Sequence, residues 1–257
     1  MSLSSFSLEG KKALVVGARR NMGKGFALGL AEAGADVAIS DVNMESGQLQ
    51  AVADEIQQMG RKSLAIKADI SNQKEVKKLV QSVVKEFGTI DILMNVAVMY
   101  HPKSVIDLDE ESWDKLTDIN LKGYWLMIQE VSPIMMKQKS GSIINLTSRG
   151  GLKAHADKMM GNYAIVKSGI AMMTRQYCRY LGPHNVRVNA IAPSVILSER
   201  VKKLLKNSPE IEAISKTHLL GLGEPIHVAD LAVYLAADES AITTGQVISV
   251  DSGVTIV

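Results

Sequence analysis

The stretch "ALVVGARRNMGKGFALGL", residues 13–30, decides how the chain is read. An apolar run meets a glycine, a polar turn follows, and apolar residues then recur at helical spacing from Phe26. A strand, glycine turn and helix in this order aim backbone N–H groups and a helix N-terminus at one point, where a phosphate is well held. Two familiar glycine patterns do not fit. A P-loop, G-x-x-x-x-G-K-S/T, needs a shorter gap and a hydroxyl after its Lys. Here five residues separate Gly17 from Gly23, and Lys24 is followed by Gly25, which has no side chain to ligate Mg²⁺. The G-x-G-x-x-G dinucleotide pattern also fails, because Leu28 stands where the third glycine after Gly23 and Gly25 belongs.

Outward from this stretch the alternation continues. Residues 12–18, 36–41, 62–69, 89–97, 141–148, 186–193 and 245–251 are short, nearly continuous apolar runs, the pattern of strands buried on both faces of a parallel sheet. Amphipathic segments lie between them. One has apolar residues at 49, 52, 53, 56 and 59 and stops at Gly60; another opens on Ser71 as N-cap, carries Glu75 in its first turn and stops at Gly88. Strand–helix units of roughly 30 residues predict βαβ crossovers. The expectation is therefore one α/β domain over 1–257, a doubly wound Rossmann-type parallel sheet of about seven strands with helices on both faces. Ligands in such sheets bind outside the carboxyl ends of the strands, near the point where strand order reverses.

Composition excludes several classes. Lys+Arg 29 against Asp+Glu 27 leaves a net charge of +2, which gives no reason to expect nucleic acid or a membrane surface as a partner. No stretch approaches the roughly 18 apolar residues of a spanning helix. The opening "MSLSSFSLEG" lacks the basic and apolar regions of a signal, and Arg19-Arg20 is followed by Glu32 and Asp36 rather than by an apolar twin-arginine segment. The single cysteine, Cys178, forms no internal disulfide and sits in an apolar helical pattern, as a core or interface residue. A cytoplasmic protein acting on a small molecule is the expectation. His101, His218 and His227 have no metal-ligand spacing, and no metal is expected.

A third glycine spacing fits better. The turn resembles the Gly-x-x-x-Gly-x-Gly of the short-chain dehydrogenase/reductase family at Gly17, Asn21 and Gly23, with Asn replacing the middle glycine and Val16 replacing the usual strand-end Thr. Asn is the non-glycine residue most at ease at positive φ. Further along, "NYAIVK" supplies the family's Tyr-x-x-x-Lys as Tyr163 and Lys167, "INLTS" ends on Ser148, and "DINLKG" carries Asn120. "LMNVAV" keeps Asn95 and Ala97 of an Asn-Asn-Ala-Gly motif but has Val96 and Val98 at the other two positions. "VNAIAPS" has Ser194 in place of a glycine, and "GQVISVDSG" is similar to the family's last strand. The resemblance spans essentially the whole chain, in order.

It implies an NAD(P)-dependent oxidoreductase that moves a hydride between a nicotinamide and a secondary alcohol or ketone. The implied cofactor residues are Gly17, Arg19, Arg20, Asn21, Met22, Gly23, Asp41, Asp69, Ile70, Asn95, Ala97, Tyr163, Lys167, Pro193 and Val195. Asp41, ending the second strand run, is the carboxylate that accepts from the adenosine ribose hydroxyls and repels a 2′-phosphate, so NAD is favoured over NADP. Asp41 also has an alternative role as cap of the next helix, which Asn43 shares, and Arg20, with Arg19 near it, argues for NADP.

In the implied chemistry Tyr163 exchanges a proton with the substrate oxygen, Ser148 holds that oxygen, Lys167 lowers the cost of the phenolate and bonds the nicotinamide ribose, and Asn120 extends a proton relay. Fifteen positions separate Ser148 from Tyr163, slightly more than usual, and the added length falls in "RGGLKAHADKMMGN". Arg149, His155 and Met159 in this segment are candidate substrate residues. Arg149, Lys153 and His155 suit an anionic substrate such as a sugar acid, or are solvated loop charges. Residues 194–220 are similar to the family's substrate lid and are expected to hold one or two short helices. The resemblance also implies a homodimer or homotetramer formed through the Tyr163 helix and the one before it, which the exposed-looking apolar residues Met172, Met173 and Tyr177 and the terminal "VTIV" would suit. Two alternatives stand beside the dehydrogenase reading: an NADPH-dependent 3-oxoacyl thioester reductase, and a non-catalytic nucleotide sensor.

Overall fold

In the computed structural model, which describes residues 6–154, 158–205 and 209–256, each of the seven apolar runs is a strand. They are β1 (Lys12–Val16), β2 (Asp36–Asp41), β3 (Ser63–Lys67), β4 (Ile92–Asn95), β5 (Gly141–Leu146), β6 (Val186–Pro193) and β7 (Val247–Val250). The helices are α1 (Asn21–Glu32), α2 (Gln48–Gln58), α3 (Gln73–Phe87), α4 (Glu110–Thr117), α5 (Gly123–Gln138), α6 (Gly161–Leu181), α7 (Glu199–Leu205), α8 (Pro209–Lys216) and α9 (Pro225–Ala236). All strands pair in parallel in the order β3-β2-β1-β4-β5-β6-β7. Strand order therefore reverses between β1 and β4. The register sets Val16 beside Asn95 and Asn95 beside Asn145, so the carboxyl ends of β1, β4 and β5 lie level.

The sheet is apolar on both faces because each face meets a helix layer. On one side Phe26 and Leu30 of α1, Leu49, Val52 and Ile56 of α2, and Val228 and Leu235 of α9 pack against it. On the other, Val76, Leu79, Val80 and Val83 of α3 join Tyr124, Met127 and Val131 of α5 and Ile170 of α6. Each such buried side chain stabilises the fold by roughly 1.5–3 kcal/mol before entropy is counted. Among the described residues no helix is long and apolar enough to cross a membrane.

Helix ends follow the expected turn chemistry, with one correction. Gly60 and Gly88 both have positive φ, at 81° and 83°, and close α2 and α3. The N-cap of α3 is Asn72, not Ser71: Asn72 Oδ1 accepts from the N–H groups of Lys74 (3.0 Å) and Glu75 (3.4 Å). Ser71 is unavailable because its N–H and hydroxyl both donate to Asp69 Oδ1, at 2.9 and 2.7 Å. A second correction concerns α6. Met172 is exposed as expected, but Met173 and Tyr177 pack partly buried against the α3–α5 core, and Gln129 Nε2 donates to the Tyr177 hydroxyl at 2.5 Å. The exposed apolar side chains of α6 are Ile165, Met172 and Tyr180. Of the terminal "VTIV", Val254 is buried and Ile256 exposed. Residues 194–220 contain α7 and α8, the two short helices expected there.

Replacing Asn72 by Ala removes the cap of α3 and is expected to lower stability by about 1 kcal/mol. Chemical denaturation checks this; an unchanged midpoint would return the cap to Ser71.

Candidate active site

The glycine turn after β1 is shaped by close approach. Gly17 has φ 87°, and a Cβ there would lie 2.6 Å from the backbone of Ala97, just past β4. A Cβ on Gly23 would lie 2.0 Å from the Gly17 carbonyl oxygen. Any side chain at either position forces the turn apart. Asn21 takes the left-handed conformation expected of it, with φ 52°. The N–H groups of Gly17 and Ala18 donate to the Ser40 carbonyl at 2.7 and 3.0 Å, fastening the turn to β2. Arg20, the N-cap of α1, makes no side-chain cap, and the first turn of α1 has no acidic residue. An uncapped helix N-terminus behind a glycine turn is the donor set a pyrophosphate fits. Met22 packs partly buried against the core beneath it.

At the end of β2, Asp41 Oδ1 accepts from Asn43 N–H (3.0 Å) and from Arg19 Nε (3.3 Å), and Arg19 Nη1 donates to Gln48 Oε1 at 2.7 Å. Both side chains of the pair are mostly buried. The basic residue facing Asp41 is therefore Arg19; Arg20 is exposed. Asp69 holds Ser71 as described, and its own N–H donates to Glu75 Oε2 at 2.8 Å. Ile70 is buried against Gly123 at the start of α5. The candidate dinucleotide-binding groups thus lie at the carboxyl ends of β1, β2 and β3, and their donors and carboxylates fit an adenine nucleotide.

The candidate chemical groups gather at the ends of β4 and β5. Lys167 is fully buried, and its Nζ donates to the Leu146 carbonyl at 2.7 Å. It stands 5.4 Å from the Tyr163 ring centroid and 5.3 Å from that of Tyr124. The Tyr124 hydroxyl reaches the same Leu146 carbonyl at 3.4 Å. Thr147 Oγ1 donates to the Lys167 carbonyl at 2.7 Å, a second tie between α6 and the β5 end. Ser148, one residue further, accepts from Gly150 N–H at 3.2 Å and opens a 3-10 turn over Arg149–Gly151. Burial pushes the Tyr163 phenol upward and lowers the Lys167 ammonium to about 7, so in the chain alone both groups favour the neutral form at mildly alkaline pH.

Asn120 lies in a π-helical turn, Asp118–Lys122, between α4 and α5. Such bulges re-aim side chains, and this one turns a buried amide toward the loop after β4. Asn120 Nδ2 donates to the carbonyls of Met99 and Leu116, both at 2.9 Å, and Oδ1 accepts from Met99 N–H at 3.3 Å. Its side chain is engaged in holding that loop. Asn95 Nδ2 donates to Asn145 Oδ1 (2.9 Å), Asn145 Nδ2 to Thr174 Oγ1 (3.0 Å), and Thr174 Oγ1 to the Ile170 carbonyl (2.9 Å). Tyr124, Thr147, Asn145 and Thr174 were not singled out by sequence. For Asn145 and Thr147 the available signal was polar residues inside the apolar run "SIINLTS", since buried polar groups require partners.

On the substrate side, Arg149 is half-buried and Met159 exposed, while His155 lies outside the described residues. Pro193 ends β6 buried, and Val195 is half-buried two residues on. Ser194 Oγ lies 2.7 Å from His218 Nε2, so the hydroxyl that replaces a glycine ties the β6 end to the segment after α8. His227 Nδ1 accepts from Glu224 N–H in the capping box of α9, and His101 Nε2 lies 3.5 Å from Ser112 Oγ. Among the described residues, no group of three or more His, Cys, Asp or Glu is arranged to hold a metal.

Comparison with known proteins agrees with this fold. A family model described as enoyl-(acyl carrier protein) reductase matches residues 17–255. The 3-oxoacyl-(acyl-carrier-protein) reductase FabG of Staphylococcus epidermidis is 36% identical over 243 residues, covering 95% of this chain and 98% of that one. The chain belongs to the short-chain dehydrogenase/reductase family. Among its solved members, a short-chain type dehydrogenase/reductase from Mycobacterium marinum superposes with a TM-score of 0.91 at 32% identity, covering 98% of both chains. A 7α-hydroxysteroid dehydrogenase complexed with NADH and 7-oxo glycochenodeoxycholic acid gives 0.91 at 31% identity, covering 98% of this chain and 97% of that one. The family is one of oxidoreductases that use NAD(P), and this chain is a member of that enzyme class.

Lys167 has a folded pKa lowered toward 7, below that of an unfolded lysine, so the unfolded chain binds more protons between those values. Its contribution to stability therefore rises as pH climbs from about 7 toward 10. A Lys167→Met variant lacks this titration. Wild type is expected to gain Tm relative to the variant between pH 7 and 9.5; no relative gain over that range would show that the buried group is held as an ammonium.

Proposed function

We propose that this protein is an NAD(H)-dependent oxidoreductase that interconverts a secondary alcohol and a ketone, with Tyr163 as general acid and base. The observation that carries this reading is the buried Lys167–Leu146 hydrogen bond, which holds Tyr163 on α6 beside the β5 end that bears Ser148. A nicotinamide dinucleotide, with its pyrophosphate held at the glycine turn, would supply the hydride acceptor or donor. The chain's own residues handle the oxygen. Ser148 Oγ donates to the substrate oxygen and orients it. In the oxidative direction the Tyr163 phenolate takes the hydroxyl proton; in the reductive direction the phenol returns it. A protonated Lys167 beside the ring lowers the cost of the phenolate and opposes the upward push of burial. Asn120 acts in this reading by fixing the loop at Met99 that borders the site.

Preference for NAD rests on Asp41. Its carboxylate stands at the β2 end, where ribose hydroxyls are bound in doubly wound sheets. Arg19 is already engaged by Asp41 and Gln48, so a 2′-phosphate gains that cation only by breaking the pair. Asp69 and Ile70 border the adenine, and Asn95, Ala97, Pro193 and Val195 border the nicotinamide end. Residues 194–220 close over the substrate within a single functional unit, Arg149 and Met159 contact it, and assembly uses α5 and α6. A second reading, reduction of a 3-oxoacyl thioester with NADPH, is favoured by the 36% identity to the Staphylococcus epidermidis reductase.

Tyr163→Phe separates the chemistry from binding. Turnover of NADH with a reducible 3-oxo ester is expected to fall by about 10²–10⁴-fold, with NADH affinity changed little. Steady-state kinetics beside a binding titration measure both. Full turnover in the variant would remove Tyr163 from the reaction.

A further inference from the structure

The loop that follows β4 is pinned at two places, and between the pins Tyr100 faces Tyr163. At one end Asn120 holds both the N–H and the carbonyl of Met99, at 3.3 and 2.9 Å. At the other, Asn162 Nδ2 donates to the carbonyls of Lys103 (3.2 Å) and Ser104 (3.0 Å). Asn162 is buried and immediately precedes Tyr163, so this second pin fastens the loop directly to the start of α6. Between the pins, the Tyr100 ring meets the Tyr163 ring edge to face, with centroids 6.2 Å apart and planes at 83°. Tyr100 keeps 37% of its surface exposed, and Val98, two residues earlier, is also exposed. Met159 on the α6 side is exposed too.

These facts are unusual for a surface loop. A tyrosine left partly open to solvent, yet held on a backbone fixed by two asparagine side chains, is a preorganised contact. Rigid aromatic surface costs little further entropy when a ligand covers it. Its edge-to-face partner is the candidate proton-transfer ring, so whatever covers Tyr100 is attached close to the reacting oxygen.

We propose that Tyr100 is a specificity-determining residue, presenting an aromatic wall that selects substrates with an apolar, preferably aryl, group on the carbon that carries the reacting oxygen. The inference rests on the oxidoreductase reading above and narrows its substrate class. It concerns the Tyr100 ring rather than its hydroxyl, because the ring is what meets Tyr163. A polyhydroxylated ketone sets hydroxyl groups against that wall and has to desolvate them without partners.

The test uses the purified full chain with NADH and two 3-oxo esters that differ only in this group, ethyl benzoylacetate (phenyl) and ethyl acetoacetate (methyl). Wild type is expected to favour the phenyl ester in kcat/KM. Tyr100→Ala is expected to lose about two- to tenfold of that preference, mainly through KM for the phenyl ester. Tyr100→Phe keeps the ring and is expected to keep the preference. NADH affinity, measured for each variant by fluorescence titration, is expected to stay at the wild-type value and serves as the control for folding. Equal preference in wild type and Tyr100→Ala, equal losses on both esters, or loss of preference in Tyr100→Phe would each overturn the inference while leaving the oxidoreductase reading intact. If Tyr100→Ala fails to bind NADH, Tyr100→Leu replaces it in the same comparison. A wild type that binds NADH but reduces neither ester, and also oxidises neither corresponding alcohol with NAD, would overturn both.

Discussion

A single buried hydrogen bond, from Lys167 Nζ to the Leu146 carbonyl, ties the long helix α6 to the end of the interior strand β5. The bond gives the amine a partner inside the core, where an unpartnered polar group is costly. The consequence is geometric: the helix turn bearing Tyr163 is held beside the strand end bearing Ser148, and Thr147 makes the arrangement two-point by donating to the Lys167 carbonyl. Tyr124 closes the pocket around the amine from α5. Burial that lowers the amine toward 7 also makes it responsive to charges placed near it, a property suited to assisting proton transfer at a neighbouring phenol.

The other half of the site depends on bare backbone. Gly17 and Gly23 have no room for a side chain, and the turn they form closes against Ala97 at the β4 end. This contact brings the glycine turn and the loop carrying Tyr100 to the same edge of the sheet. Reversal of strand order between β1 and β4 opens the crevice there, and the level ends of β1, β4 and β5 place both halves on its rim. Asn21 shows how little the middle glycine matters by comparison. A left-handed φ of 52° is within reach of an asparagine, whereas a side chain at Gly17 or Gly23 meets backbone.

The sheet was legible because strands buried on both faces leave unbroken apolar runs, and their glycine-terminated helices punctuate the chain between them. The positions of the candidate site residues at strand ends were legible for the same reason, since they follow from the strands. What escaped depended on competition between neighbours. Ser71 looked like a cap, but Asp69 takes its hydroxyl and leaves the role to Asn72. Arg20 looked like the cation near Asp41, but the turn directs Arg19 there and Arg20 to solvent. Met173 and Tyr177 looked exposed, but the α6 surface that meets α5 extends far enough to cover them. The Leu146 carbonyl could not be found from residue types at all, because its role belongs to the main chain.

The measurement that bears most directly on this account is a fluorescence titration of the purified protein with NADH and, in parallel, NADPH. The uncapped α1 N-terminus and the Asp41 carboxylate predict saturable binding of both, with NADH the tighter. Binding of neither nucleotide would contradict the assignment of the glycine turn, and tighter NADPH binding would contradict the role given to Asp41 over Arg19.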